Sequence, residues 1–295
     1  MTSTEALRFQ VWRPAEIEEL TNRWFIHPLS WRIVQWSVRR GVHPNALSVA
    51  GLCCGLGAAV AYGFWEQRWT CVVGFALMVL WHVLDGADGQ LARLTGKTSE
   101  WGKVLDGLCD HGTFAAIYAS LAWSLLPHMG AEAFLLAAAA GFSHVVQASS
   151  YERQRQLYEQ WVLGRPTLTA AVERVPRSIQ PLYRAYLAVQ SSLSGEYRLA
   201  RVERSLKADS LPLLREWYRW LFRPVVYGWS LLSSNYRTLV LFVAGLLGAP
   251  EAFWWWELVG LNLVLLGLLV WTSARQRRLL GLIQEHGFRE RPLCC

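Results

Sequence analysis

Uncharged, apolar stretches alternate with short polar turns along most of the chain. Asn45–Trp65 carries no charge, and after the turn Glu66–Arg68 the stretch Trp69–Leu84 is apolar again. About 20 residues are needed to cross the hydrocarbon of a bilayer, so these stretches predict two membrane helices. Further membrane helices are predicted from a start within 104–113 to residue 126, from 131 to about 148, within 236–249 and at 252–272. The pattern therefore predicts an all-α integral membrane protein, a bundle of about six transmembrane helices.

Amphipathic helices are predicted ahead of the first membrane helix. Apolar residues recur at helical spacing on both sides of Pro28, which is expected to break the run: Ile17, Leu20 and Trp24 before it, Leu29, Ile33 and Trp36 after it. Such helices typically lie in the headgroup plane. The predicted segments are N-terminal amphipathic helices at 1–43, four membrane helices at 44–150, a basic cytoplasmic insertion at 151–235, and two membrane helices with a cytoplasmic tail at 236–295.

Composition and charge agree with a membrane location. Hydrophobic residues make up 53% of the chain and charged residues 17%, and 17 tryptophans are present, a residue that gathers at membrane–water boundaries. Between Tyr151 and Pro224, 13 Lys and Arg stand against 7 Asp and Glu, which accounts for most of the net charge of +7. A basic segment between membrane helices marks the cytoplasmic face rather than a nucleic-acid site. We therefore expect both termini and the Asp-rich segment after Leu84 in the cytoplasm, and no nucleic-acid partner.

The candidate chemistry lies in that Asp-rich segment. Asp85, Asp88 and Ala92 are spaced i, i+3 and i+7, and Gly102, Asp106 and Asp110 are spaced i, i+4 and i+8. On two helices joined by a short loop, each set lines one face, and the two faces can converge. Four carboxylates that face one another need compensating protons or cations. Oxygen ligands suit Mg²⁺ or Mn²⁺, so the spacing predicts two divalent ions that bridge a diphosphate.

The neighbouring residues suit a bulky, negatively charged ligand. Gly89 and Ala92 leave room for a base or a diphosphate to approach the helix, and Arg93 offers a guanidinium fork to phosphate oxygens. His82 and His111 flank the aspartates, and we interpret them as supporting or interfacial residues rather than metal ligands, because such sites prefer oxygen.

The motif D-x2-D-G-x2-A-R-x8-G-x3-D-x3-D between Asp85 and Asp110 has every fixed position filled. It resembles the signature of the class I CDP-alcohol phosphatidyltransferase family. The resemblance implies that Asp85, Asp88 and Asp106 are metal ligands, and that Asp110 is both a ligand and the general base for an acceptor hydroxyl. It also implies a CDP-donor site formed by these residues: Asp85, Gly89, Ala92, Arg93, Gly102, Asn45 and Ser48.

Several substrates remain open at this stage. The leading hypothesis is transfer of the phosphatidyl group of CDP-diacylglycerol, or a related CDP-lipid, to a polyol phosphate such as inositol or glycerol phosphate, with release of CMP. The alternatives are a CDP-choline or CDP-ethanolamine enzyme acting on a lipid and, more distantly, an intramembrane prenyltransferase or an aspartate-based cation transporter. Choline-type enzymes usually have Asp-His-Gly where this chain has Asp106-Gly107, which favours the lipid donor. The resemblance also implies contact with membrane lipid and a homodimer.

Residues further along the chain are candidates for binding the acceptor. Arg153 and Arg155 suit a phosphorylated acceptor, although contact with anionic lipid explains their charge as well. Ser143 and Gln147 share a helix face, where interhelical hydrogen bonding is the alternative interpretation.

Overall fold

The computed structural model describes residues 16–164 and 211–286, together with a few isolated positions between these ranges. All regular structure in these ranges is helical. The helices, in chain order, are α1 (His27–Arg40), α2 (Pro44–Gly63), α3 (Arg68–Thr95), α4 (Glu100–Met129), α5 (Glu132–Leu163), α6 (Leu211–Trp229), α7 (Ser234–Leu246), α8 (Glu251–Trp255) and α9 (Leu261–Glu285). A π-helical turn, Trp256–Gly260, joins α8 to α9.

Four helical segments are long and apolar enough to cross a membrane: Pro44–Gly63, Arg68–Thr95, Glu132–Leu163 and Glu251–Glu285. Large apolar side chains on the outer faces of the helices are exposed, among them Trp123, Leu135 and Phe142. This distribution is that of a protein whose outer surface faces lipid. The all-α integral membrane class is therefore confirmed. The count of six membrane helices stays a prediction, because α7 has 13 residues and lies outside this set, as does α4.

The N-terminal segment differs in one respect from its prediction. Pro28 does not break the helix but occupies the first turn of α1, directly after the π-helical turn Asn22–Ile26. The backbone N–H of His27 donates to the carbonyl of Asn22, five residues back. Pro28 directly follows this wider turn, in the first turn of α1, where the missing N–H donor of a proline is tolerated. The helix therefore continues through Pro28.

The chain divides into two compact units. The first consists of the described residues of Met1–Val145 with Ser234–Leu261, and the second of those of Val146–Ser233 with Asn262–Cys295. In the first unit α2 packs against both α3 and α4, while α1 and α7 pack against α3. Glycines allow this close packing: a Cβ atom on Gly55 would collide with Thr113 of α4, and one on Gly74 with the ring of Tyr62.

In the second unit α6 runs antiparallel to the end of α9. The indole Nε1 of Trp229 donates to Thr272 Oγ1 at 2.9 Å, and nearer the start of α6 the guanidinium of Arg278 lies 5.1 Å from the centre of the Trp220 ring. Aromatic rings fill the space between α6 and the end of α5, where Tyr218 stacks on Trp161. The predicted border at residue 150 falls within the continuous helix α5.

Candidate active site

A tight connection turns the end of α3 back into the start of α4. Gly96 has a φ of 67°, the left-handed conformation that glycine adopts most readily, and the N–H of Lys97 donates to the carbonyl of Ala92 at 3.0 Å. Ser99 then caps α4, its Oγ accepting from the N–H of Gly102 at 2.9 Å. The end of α3 therefore lies beside the start of α4, as the spacing of the aspartates requires.

Three carboxylates meet at this junction. One side-chain oxygen from each of Asp85, Asp88 and Asp106 lies within 4.8 Å of the other two. Asp88 is buried and the other two are half-buried. Asp110, one turn beyond Asp106, lies outside this group of three but interacts electrostatically with all of its members. The structure thus brings residues from both halves of the motif together.

The chemistry of this cluster fits a divalent cation. Two unit charges 4 Å apart repel by about 4 kcal/mol at the effective dielectric constant of a protein surface, so three ionised carboxylates at this spacing need a positive partner. The donors are oxygens, which Mg²⁺ and Mn²⁺ prefer, and they come from rigid helices. Among the described residues, Asp85, Asp88 and Asp106 are a group of three that could hold a metal ion.

The first turns of α2 supply further polar groups. Ser48 Oγ donates a hydrogen bond to Asp88 Oδ2, and both side chains are buried. The side-chain oxygen of Asn45 lies 3.6 Å from the position that a Cβ atom on Gly102 would occupy. The start of α2 therefore lies beside the carboxylates, and Ser48 fixes the orientation of one of them.

The glycines of the Asp-rich segment have different neighbours in the structure. A Cβ atom on Gly89 would lie 3.2 Å from a terminal nitrogen of Arg93, so the guanidinium folds back over the glycine that was expected to leave room for a ligand. Ala92 is half-buried on the same helix. Gly107, which the sequence analysis did not select, differs: among the described residues, no side chain and no neighbouring helix lies within 4 Å of the position that its Cβ atom would occupy.

Comparison with known proteins finds a family match that includes the junction of α3 and α4. Residues 41–176 match the model of the CDP-alcohol phosphatidyltransferase family, and this range contains the whole carboxylate cluster. The matched segment is similar to that family. Three phosphatidylinositol phosphate synthases and one CDP-diacylglycerol–glycerol-3-phosphate 3-phosphatidyltransferase are similar to the chain over parts of their length.

The similarity to individual relatives is confined to a part of each protein. The synthase of Streptomyces avermitilis is 35% identical over 86 residues, which are 29% of this chain and 34% of the relative. The transferase of Cereibacter sphaeroides is 34% identical over 77 residues, 26% of this chain and 33% of the relative. The synthase of Corynebacterium glutamicum is 29% identical over 125 residues, 42% of this chain and 55% of the relative. The chain thus matches between a third and about half of the length of these CDP-alcohol phosphatidyltransferase relatives.

The four residues predicted to bind an acceptor have protein partners. Arg155 is held by two carboxylates of its own helix, Glu152 at 2.5 Å and Glu159 at 2.6 Å. Arg153 is buried and donates to Gln156 at 3.3 Å. The partners of Arg155 leave its charge locally balanced, which weakens the case for it as a phosphate ligand.

The two polar residues of this set are also buried in the packing of their helix. Gln147 donates to Asn262 at 3.0 Å, and Ser143 is buried. The contact of Gln147 is the interhelical hydrogen bond that was the alternative interpretation. A role of Ser143, Gln147, Arg153 or Arg155 in binding an acceptor of the family stays a prediction.

One buried polar contact of the first unit escaped the sequence analysis. Arg237 Nε of α7 donates to Glu257 Oε1 at 2.9 Å, and both side chains are fully buried. A signal for it was present in the sequence, because Glu257 is an ionisable residue inside the apolar stretch 252–272, and such residues are functional candidates in membrane helices.

A second contact links α3 to α7. His82 Nε2 lies 2.9 Å from Thr238 Oγ1, and both side chains are buried. His82 is therefore a hydrogen-bond partner of Thr238, and its supporting role at the site stays a prediction.

Proposed function

We propose that the protein is a metal-dependent phosphotransferase that moves the phosphatidyl group of a CDP-linked lipid to an acceptor hydroxyl and releases CMP. The observation that carries the proposal is the convergence of Asp85, Asp88 and Asp106 within 4.8 Å, inside the segment that matches the CDP-alcohol phosphatidyltransferase family. Oxygen ligands at the ends of two neighbouring helices are suited to hold two Mg²⁺ or Mn²⁺ ions against a diphosphate.

The aspartates have separate roles in the proposed transfer. Asp85, Asp88 and Asp106, with Asp110, hold the ions, which neutralise the charge of the donor diphosphate when bound. Asp110 also accepts the proton of the acceptor hydroxyl. The acceptor oxygen then forms a bond to the β-phosphorus, the bond from that phosphorus to the CMP oxygen breaks, and CMP leaves with the electron pair.

The donor side of the site is assigned to residues around the cluster. Ser48 holds Asp88 in place by its hydrogen bond. Gly89, Ala92 and Arg93 on α3 face the nucleotide, and displacement of the Arg93 guanidinium from Gly89 opens the space that a base or diphosphate needs. Asn45 and Gly102, which lie close together, close the site on the α2 side. These six residues, together with Asp85, form the proposed CDP-donor site: Asp85, Gly89, Ala92, Arg93, Gly102, Asn45 and Ser48.

The relatives favour a polyol phosphate as the acceptor. Phosphatidylinositol phosphate synthases and a CDP-diacylglycerol–glycerol-3-phosphate 3-phosphatidyltransferase are the proteins to which this segment is similar. We therefore place inositol phosphate and glycerol phosphate ahead of other acceptors, and CDP-diacylglycerol ahead of other donors. The CDP-choline and CDP-ethanolamine alternative has no comparable support, and neither has a prenyltransferase or a cation transporter.

The deciding experiment measures CMP release by purified protein supplied with CDP-diacylglycerol and a panel of acceptors, in the presence of Mg²⁺ or Mn²⁺. We expect CMP with inositol phosphate or glycerol phosphate. Absence of CMP with every acceptor, together with CMP from CDP-choline and diacylglycerol, would replace the proposed substrates by the alternative pair.

Two variants separate the roles of the carboxylates. Asp110→Asn is expected to abolish CMP release while it largely spares donor binding, because it removes the proton acceptor. Asp85→Asn is expected to weaken metal dependence and donor binding together. Glu66→Gln, an exposed carboxylate in the turn between α2 and α3, is the matched control and should leave turnover unchanged. Normal turnover by Asp110→Asn would remove its assignment as the base.

Topology and assembly belong to the same proposal. We infer that the carboxylate junction and both termini face the cytoplasm, from the basic residues of the polar segments. Accessibility of single introduced cysteines to a membrane-impermeant reagent tests this orientation. The homodimer that the family resemblance implies is tested by light scattering on the detergent-solubilised protein, where the mass of a single chain would contradict it.

A further inference from the structure

The carboxylate-bearing end of α3 is held by a buried contact from α7. His82 lies three residues before Asp85 on the same continuous helix, and its Nε2 is 2.9 Å from Thr238 Oγ1. Both side chains are more than nine-tenths buried. A buried hydroxyl and a buried imidazole that pair with each other resist displacement, because separation would leave two polar groups without water.

The packing of α7 against α3 fixes the position of the contact between Thr238 and His82. The rings of Phe242 and Phe75 stack with centroids 4.3 Å apart, and a Cβ atom on Gly245 would lie 2.8 Å from the sulfur of Cys71. The two helices therefore run antiparallel in close contact. Among the described side-chain hydrogen bonds between α3 and α7, the bond made by Thr238 lies nearest to the carboxylates.

The position of α7 is itself fixed at the adjacent residue. Arg237 pairs with Glu257 at 2.9 Å, with both side chains fully buried. A shift of α7 would separate two charges in a low-dielectric interior, which is costly. Consecutive residues of α7 thus contact two different helical segments, the π-helical turn through Arg237 and α3 through Thr238.

We propose that Thr238 is a positioning residue for the metal site, acting through His82 to hold Asp85 and Asp88 at their spacing from Asp106. The inference rests on the proposed function, because it assumes that the three carboxylates bind a divalent ion. A metal site tolerates displacements of only about 0.2 Å in its ligand distances, so a small slide or rotation of α3 against α4 is enough to weaken binding. Thr238 lies on another helix and is not itself a ligand.

The test compares Mn²⁺ affinity, measured by electron paramagnetic resonance without donor or acceptor, in three variants of the full chain. Thr238→Val keeps the shape of the side chain and removes the hydroxyl, and it is expected to weaken Mn²⁺ binding roughly threefold to tenfold, the loss that corresponds to one buried hydrogen bond. Thr238→Ser restores the hydroxyl and should bind Mn²⁺ within about twofold of the unmodified chain.

Thr70→Val is the matched control, since it removes another buried threonine hydroxyl at the opposite end of the same interface. Thr70 Oγ1 donates to the carbonyls of Phe64 and Gln67 at 2.7 Å. Thr70 lies in the first turn of α3, 15 residues or about 22 Å before Asp85, so the loss of its hydroxyl should lower thermal stability without changing Mn²⁺ affinity.

The outcomes separate the inference from the function on which it rests. Equal Mn²⁺ affinity in Thr238→Val and the unmodified chain, or an equal loss in Thr70→Val, would show that the contact only stabilises the fold. If Thr238→Val does not fold, Thr238→Ala, which adds no methyl group against His82, is judged by the same criteria. Failure of the unmodified chain to bind Mn²⁺ would overturn the metal site itself, and the inference with it.

Discussion

Removal of Arg237 is expected to destabilise the first unit more than removal of both members of its ion pair. Arg237→Met leaves Glu257 as a fully buried carboxylate without its cation, and the loss of one member of a buried pair costs about 3–5 kcal/mol. At about 2 °C per kcal/mol, the lower end of the range for domains of about 150–250 residues, the midpoint of thermal unfolding should fall by about 6 to 10 °C.

A double variant distinguishes the contribution of the ion pair to stability from the cost of leaving Glu257 buried without its cation. Arg237→Met with Glu257→Leu replaces both charges by apolar groups, which is often neutral or stabilising at buried positions. Thermal unfolding of the detergent-solubilised protein, scanned at one rate for all variants, measures the three chains side by side. The reasoning is wrong if the single variant unfolds within 2 °C of the unmodified chain, or if the double variant is the less stable of the two.

Three further outcomes are expected. Ser48→Ala removes the hydrogen bond to Asp88 and should lower metal affinity about 10-fold to 100-fold, as losses of this kind typically do, measured by Mn²⁺ titration. Gly55→Ala places a methyl group against Thr113 and should cost about 1–3 kcal/mol, whereas Gly267→Ala, whose Cβ position is open, should not destabilise the protein in the same unfolding assay. Removal of divalent ions by a chelator should abolish CMP release, and added Mg²⁺ or Mn²⁺ should restore it.

Each of these has a result that would count against it. Unchanged Mn²⁺ affinity in Ser48→Ala would mean that the serine does not orient the carboxylate. Equal stability of the two glycine variants would contradict the close contact of α2 with α4. CMP release that survives exhaustive chelation would exclude a role for metal ions in the transfer.

The convergence of the carboxylates was predictable because it depends on local rules. Helical spacing places Asp85 and Asp88 on one face of α3 and Asp106 on one face of α4, and a short loop between two helices makes them neighbours. The loop itself has readable signals, a glycine that ends α3 and a serine that caps α4. Each of these signals lies within a few residues of the feature that it specifies, so no knowledge of the distant chain was needed.

The contacts that support the site were not predictable in the same way. His82 and Thr238 are 156 residues apart in the chain, and no spacing rule relates them. Glu257 was visible as a charge in an apolar stretch, but its partner depends on how α7 packs against the π-helical turn. Pro28 was misjudged because the π-helical turn before it depends on backbone hydrogen bonds that composition does not reveal.

The most direct measurement is anomalous diffraction from crystals grown with Mn²⁺ and CDP-diacylglycerol, which locates the ions without assuming an activity. The account predicts two manganese peaks between α3 and α4, bonded to oxygens of Asp85, Asp88, Asp106 and Asp110 and in contact with the diphosphate. Manganese bound elsewhere, or none at these carboxylates while the same preparation releases CMP, would contradict it.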